Sequence, residues 1–281
     1  MTKRFRLLPL FAAAVFASAC SAQISERNLL RPIPGGTVSA AAIAQAAPAY
    51  TLSEQWIAAA DGTKLHAVLL RQPGARGTVL YFGGNGYTIE RFASATAAAF
   101  APLGVDLMIV DHRGYGMSGG TPGVETMMTD GLAAFDHLAR LPGSSAPRII
   151  VHGQSLGSFI AGAVAAERPT GGVVLESSAT TTEDWVAAMA KGMPVKVEID
   201  AKLRGRGNLG PVRRIDEPLL LLVGAQDRST PPALSEALYR ASPLPAGRKT
   251  LAVIAGAGHN DVLLKAEAIA AYRAFLARAL P

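Results

Sequence analysis

The stretch Gly153-Gln154-Ser155-Leu156-Gly157 holds one serine between two glycines. The apolar run "RIIVHG" precedes it, and the small-residue segment "SLGSFIAGAVAAER" follows. The first reads as a buried strand and the second as a helix. Where a strand turns sharply into a helix, side chains at the two flanking positions collide, so glycine is required there. The bend lifts the Ser155 hydroxyl above the carboxyl end of the strand. The spacing G-x-S-x-G is the signature of such an exposed nucleophile. The bland reading is a tight strand-to-helix turn with an idle serine. Partners elsewhere in the chain decide between the two.

A serine hydroxyl is a weak nucleophile until a base takes its proton, and the base is usually an imidazole oriented by an acid. The chain has five histidines. His66 falls in an early strand, His137 on a helix face, His112 after a strand in "DHRGYG", and His152 just before the serine turn. Each of these suits packing or the surface. His259 lies in "AGAGHND", a small-residue loop between the last strand and the last helix, where an imidazole is free to reach the same sheet edge. In sites built on this turn the acid follows the serine and precedes the histidine. Asp227 in "LLLLVGAQDRSTPP" ends the preceding strand and is the preferred candidate. Glu176 in "VVLESS", one strand earlier, is the rival. An acyl-transfer site also needs backbone N–H donors for the oxyanion. Leu156, after the nucleophile, supplies one. The loop "GGNGY" supplies the other from Gly84 or Asn85, with Asn85 preferred. That loop lacks the Gly-Lys-Ser/Thr of a phosphate loop and the G-x-G-x-x-G of a dinucleotide site. No H-E-x-x-H pattern suggests zinc, and no cofactor or metal is expected.

The elements that must position these residues are legible in outline. Asp61-Gly62 marks a hairpin between "LSEQWIAA" and "KLHAVLLRQ". Apolar runs then alternate with helical patterns: "TVLYFGG", "VDLMIVDHRG", "RIIVHGQ", "GGVVLESS", "PLLLLVGAQD" and "KTLAVIAGAGH" each precede a helix or a looser stretch. This order implies an α/β fold, a mostly parallel sheet with helices on both faces and an antiparallel N-terminal edge. Residues 178–216 form a short cap. In it Trp185, Met189 and Met193 either line an acyl pocket or pack over the sheet edge. The basic residues Arg204, Arg206, Arg213 and Arg214 are read as solvated.

The chain has 281 residues, 49% hydrophobic, and a net charge of +6. Lys3, Arg4 and Arg6 account for half of that charge, and no basic stripe with interleaved aromatics suggests nucleic acid. "MTKRFR", "LLPLFAAAVFA" and "ASAC" read as the head, apolar middle and cleavage region of an export signal. Cys20 is the sole cysteine, so no intrachain disulfide exists. The segment "FASAC" resembles a bacterial lipobox, with Ala17 where leucine is usual. The expectation is a signal peptide over 1–19, a lipid on Cys20, a flexible tether over 20–49 and one catalytic domain over 50–281. A lipid-anchored protein on the periplasmic side follows, at the outer rather than the inner membrane because Ser21 follows Cys20. A conventional cleavage site and a soluble periplasmic protein are the alternative.

The stretches "LYFGGNGY", "VDHRGYGMSGGTP", "HGQSLGS", "LLLVGAQDRSTPP" and "GAGHND" run in one order from Glu54 to Leu280. In them the chain resembles the α/β-hydrolases of the serine-aminopeptidase-like group, which also includes acylglycerol lipases and protein depalmitoylases. The resemblance implies Ser155 as nucleophile, Asp227 as acid, His259 as base and Asn85 at the oxyanion position. Relatives often carry histidine where Gly83 stands, and that histidine supports the loop. Asp111, Arg113 and Gly114 match a loop signature and are read as structural. The implied activity is hydrolysis of an acyl ester through an acyl-enzyme, on a small-molecule or lipid substrate. Peptidase or thioesterase activity, or a non-catalytic binding protein of the same fold, are the alternatives.

Overall fold

The computed structural model describes residues 21–192 and 196–280. Cys20 and Met193 lie outside the described residues. Ten strands are present among them: β1 (Ser21–Ile24), β2 (Thr51–Ala58), β3 (Lys64–Arg71), β4 (Thr78–Phe82), β5 (Asp106–Val110), β6 (Ile149–Gln154), β7 (Gly172–Glu176), β8 (Lys196–Ile199), β9 (Leu219–Gly224) and β10 (Lys249–Ile254). Eight α-helices accompany them: α1 (Glu26–Leu29), α2 (Ala40–Ala46), α3 (Ile89–Phe100), α4 (Val124–Arg140), α5 (Leu156–Glu167), α6 (Thr182–Met189), α7 (Pro232–Ala241) and α8 (Ala266–Ala279).

Eight strands form one sheet in the order β10-β9-β7-β6-β4-β5-β3-β2. The strands from β10 to β5 pair in parallel, and β3 and β2 add the expected antiparallel edge. Both faces are covered, which is why the inner strands read as unbroken apolar runs. Leu80, Phe82 and Val151 face a core shared with α4 and α5. Their neighbours Val79, Tyr81 and Ile150 face a second core shared with α3 and α8. The alternation follows from the two-residue period of a strand.

Charge clamps fix the loops beneath the site. Arg113 reaches Asp130 on α4 and Asp61 in the β2–β3 turn, with its Nε 2.8 Å from Asp130 Oδ2. Asp111 accepts the Ile89 amide that opens α3 (2.8 Å) and the Met117 amide (3.1 Å). Both residues are thus structural, as expected.

The segment expected as a tether is not one. Residues 21–49 lie on the domain, with Leu30, Ile43 and Ala47 buried. β1 pairs in parallel with β8 of the cap. The chain at Pro34 bridges Gly116, with the Gly35 amide 2.6 Å from the Gly116 carbonyl. Glu26 caps α4 by accepting the Val124 amide at 2.7 Å. Among the described residues the packed unit therefore extends back to Ser21 rather than to residue 50. A few apolar side chains spaced through an alanine- and proline-rich stretch suffice to hold it as a strap.

Candidate active site

Ser155 sits where β6 meets α5, with φ of 52° and ψ of −116°. A non-glycine residue rarely adopts this conformation, which costs on the order of 1–3 kcal/mol. The turn can exist because its flanks are bare. A Cβ on Gly153 would fall on the Gly157 carbonyl, and one on Gly157 would fall on the Phe82 carbonyl. Both obstacles are backbone and cannot swing aside.

Asp227 follows β9 and His259 follows β10, and the sheet brings both to Ser155. The Ser155 Oγ is 3.0 Å from His259 Nε2, and His259 Nδ1 is 2.8 Å from Asp227 Oδ2. The other carboxylate oxygen of Asp227 accepts the amides of Ser229 (2.9 Å) and Thr230 (2.8 Å). Burial opposes ionisation of Asp227, yet the hydrogen bonds from His259 and Thr230 outweigh it and hold the carboxyl below its ordinary value. An ionised Asp227 accepts the Nδ1 proton of His259. The unprotonated Nε2 then faces the serine hydroxyl. Gln154 and Ser177 steady the other side of the loop, with Gln154 Nε2 donating to the His259 carbonyl at 3.1 Å and Ser177 Oγ donating to it at 3.3 Å.

Sequence reasoning missed Thr230. Its hydroxyl lies 2.9 Å from both the Ser177 carbonyl and Asp227 Oδ2, and 3.2 Å from His259 Nδ1. The signal available was the spacing Asp-x-x-Thr, which suits a side-chain-closed turn. The rival acid, Glu176, is not near His259 Nδ1. It instead meets His152, with Oε2 3.0 Å from His152 Nε2.

The loop Gly83–Gly86 passes beside the serine: a Cβ on Gly84 would contact the Ser155 Cβ. A histidine does contact this loop, from the segment that follows β5. His112, buried after β5, lies with Nε2 2.7 Å from the Gly83 carbonyl. Burial pushes His112 below its ordinary pKa, so the neutral ring donates its N–H. From the other side the strap holds Asn85. Its Nδ2 donates to the Leu29 carbonyl at 2.6 Å, and its Oδ1 accepts from the Arg31 amide at 2.8 Å and the Tyr115 hydroxyl at 2.9 Å. The backbone amides of Asn85 and Leu156 have no acceptor among the described residues.

Asn85, Leu156, Ser155 and His259 line one cavity of about 250 Å³. Trp185 and Met189 of α6 and Phe159 of α5 give it apolar walls, and Leu29 and Arg31 of the strap close one side. Of the four cap arginines, Arg206 pairs with Glu125 and Arg214 with Glu167. None of the four lines the cavity, whereas Arg31, which the sequence did not single out, does.

A model of the family described as serine aminopeptidase, S33, matches residues 73–198, a span that contains Ser155. An uncharacterised protein of Mycobacterium tuberculosis, Rv2307c, is 29% identical over 265 residues, covering 92% of this chain and 90% of that protein. The alpha/beta hydrolase domain-containing protein WAV2 of Arabidopsis thaliana is 27% identical over 198 residues, 66% of this chain and 64% of that protein. Among solved structures, the esterase Pf2001 of Pyrococcus furiosus superposes with a TM-score of 0.70 at 20% identity. It covers 89% of this chain and 98% of its own. The likeness to that structure concerns the fold.

Proposed function

We propose that this chain, which has the α/β-hydrolase fold, is a serine hydrolase cleaving an acyl ester through a covalent acyl-enzyme. His259 Nε2 takes the proton from Ser155 Oγ as that oxygen attacks the acyl carbonyl. Asp227 stabilises the resulting imidazolium and fixes its orientation. The Asn85 and Leu156 amides receive the oxyanion. Each such donor contributes about 3 kcal/mol to transition-state stabilisation where it has been removed in other hydrolases. His259 then passes the proton to the departing alcohol, and water, activated by the same imidazole, clears the acyl group. The observation that carries this reading is the unbroken hydrogen-bond sequence Ser155–His259–Asp227, at 3.0 and 2.8 Å. The apolar walls from Phe159, Trp185 and Met189 suit an acyl chain. Purified protein should label with a fluorophosphonate and hydrolyse p-nitrophenyl butyrate, and Ser155→Ala should lose both. Full activity in Ser155→Ala refutes the assignment. The same preparation tested on matched ester, thioester and amide substrates ranks the three bond types.

We further propose that the mature chain begins at Cys20, carries lipid there and stands on the periplasmic face of the envelope. The signal pattern of residues 1–19 supports this. The described chain starts with β1, which pairs with β8 of the cap, so a lipid on Cys20 would be joined directly to a packed strand. Cys20→Ser should move the protein from the membrane to the soluble fraction with its activity on soluble esters intact. A wild-type chain that is soluble, with an unmodified N-terminus by mass, overturns the proposal.

A further inference from the structure

A second cavity, of about 320 Å³, lies on the far side of the Gly84–Gly86 loop. That volume falls at the lower end of the roughly 300–1,000 Å³ range of small-molecule sites. It shares Asn85 with the first cavity but contains neither Ser155 nor His259. Its walls are apolar and aromatic. Phe92 and Leu264 stand exposed at the surface, and Tyr87 stacks on Phe92 at 5.3 Å between ring centres. Its floor holds Glu176, a carboxylate that the catalytic mechanism above does not use.

Glu176 is 3% exposed. One of its oxygens meets His152 Nε2, while the other has no hydrogen-bond partner among the described residues. The Tyr81 hydroxyl, which also lines the cavity, has none there either. His152 Nδ1 is in turn 3.3 Å from the hydroxyl of Tyr272, a fully buried side chain. No lysine or arginine pairs with Glu176 among the described residues. A carboxyl oxygen that lines a cavity and carries no lysine or arginine offers a cationic ligand a charge-assisted hydrogen bond.

The surroundings choose among cations. A metal ion wants a cage of oxygen ligands. Among the described residues no group of three His, Cys, Asp or Glu side chains is placed to hold one. Aromatic faces attract organic cations instead. We propose that this cavity is a binding site for an organic ammonium ion, its nitrogen on Glu176 and Tyr81 and its apolar substituent against Tyr87, Phe92 and Leu263. The site is independent of the hydrolase reading.

Calorimetric titration of the full chain with phenethylammonium chloride tests it directly. Saturable one-to-one binding is expected, with 2-phenylethanol, the neutral analogue, at least about tenfold weaker. Glu176→Gln should weaken phenethylammonium by about tenfold or more. Ala95→Trp, at an exposed position of α3 that lines the cavity, should block it without disturbing the core. That arm decides the matter if Glu176→Gln does not fold by circular dichroism. Absence of binding, equal affinity for the alcohol, or undiminished affinity in either folded variant overturns the proposal.

Discussion

Asp227→Asn separates a working acid from a merely adjacent one, because the structure dictates how the new side chain must sit. Asp227 Oδ1 accepts two backbone amides, from Ser229 and Thr230. An amide nitrogen placed there would oppose both donors and lose two hydrogen bonds, about 2 kcal/mol. The carbonyl oxygen of the introduced side chain therefore keeps that position. Its NH₂ group falls where Oδ2 was, 2.8 Å from His259 Nδ1. Nδ1 must then accept, and the ring proton moves to Nε2. Ser155 now faces an N–H and has no base. The expected result is a fall in kcat of about 10⁴ at neutral pH, the scale seen when this tautomer is inverted in a serine protease. That is about 5.5 kcal/mol of barrier. KM should change little, since Asp227 does not line the substrate cavity. Initial rates on p-nitrophenyl butyrate, with a thermal melt to confirm folding, provide the assay. A folded Asp227→Asn protein whose kcat stays within about tenfold of wild type refutes the reasoning.

Three further outcomes follow from the geometry. Gly157→Ala drives a Cβ into the Phe82 and Gly83 carbonyls, so it should cost about 3 kcal/mol or more and lower the Tm by about 6–12 °C, read by calorimetry. Asn85→Ala keeps the backbone amide but releases the strap from the loop; kcat should fall about tenfold with the Tm nearly unchanged, and an unaltered kcat means the side chain does not hold the loop. Arg113 holds the Asp61 carboxyl, and Arg168 the Asp136 carboxyl, below the ordinary range. At Asp227, burial opposes ionisation but is outweighed by the hydrogen bonds from His259 and Thr230. The unfolded chain therefore binds more protons in acid than the folded one. The stability these groups contribute is complete above the unfolded value of about 3.9 and is lost as pH falls through their lowered folded values. A Tm that does not drop between pH 5 and pH 3 contradicts this.

What the sequence made legible was set by local sterics or short-range period. The bare flanks of Ser155 follow from a turn that admits no Cβ, and the strand runs follow from a sheet covered on both faces. The strap was not legible. β1 pairs with residues far along the chain, and "VSAAAIAQAAPAY" is too uniform in side-chain size to advertise which of its residues are buried. The support of the Gly83 loop by His112 was hidden for a related reason. A lone histidine after a strand has the same local signature whether it packs idly or holds a carbonyl across the sheet. Glu176 was weighed only as an acid for the triad, and the role open to it depends on His152, Tyr81 and a cavity that no spacing encodes.

The pairing of β1 with β8 bears on the order in which the chain can become competent. Ser21 leaves the ribosome early, yet its partner Lys196 follows only after six of the eight strands of the large sheet have been made. Closing so long a loop is entropically slow, and contacts of such separation form late in folding. A nascent chain therefore acquires Ser155 before β1 can pair with β8, and well before His259, which lies in the final stretch. Hydrolysis is deferred to the finished molecule by topology alone. Any product truncated before the last strand carries a strained serine with no base to activate it.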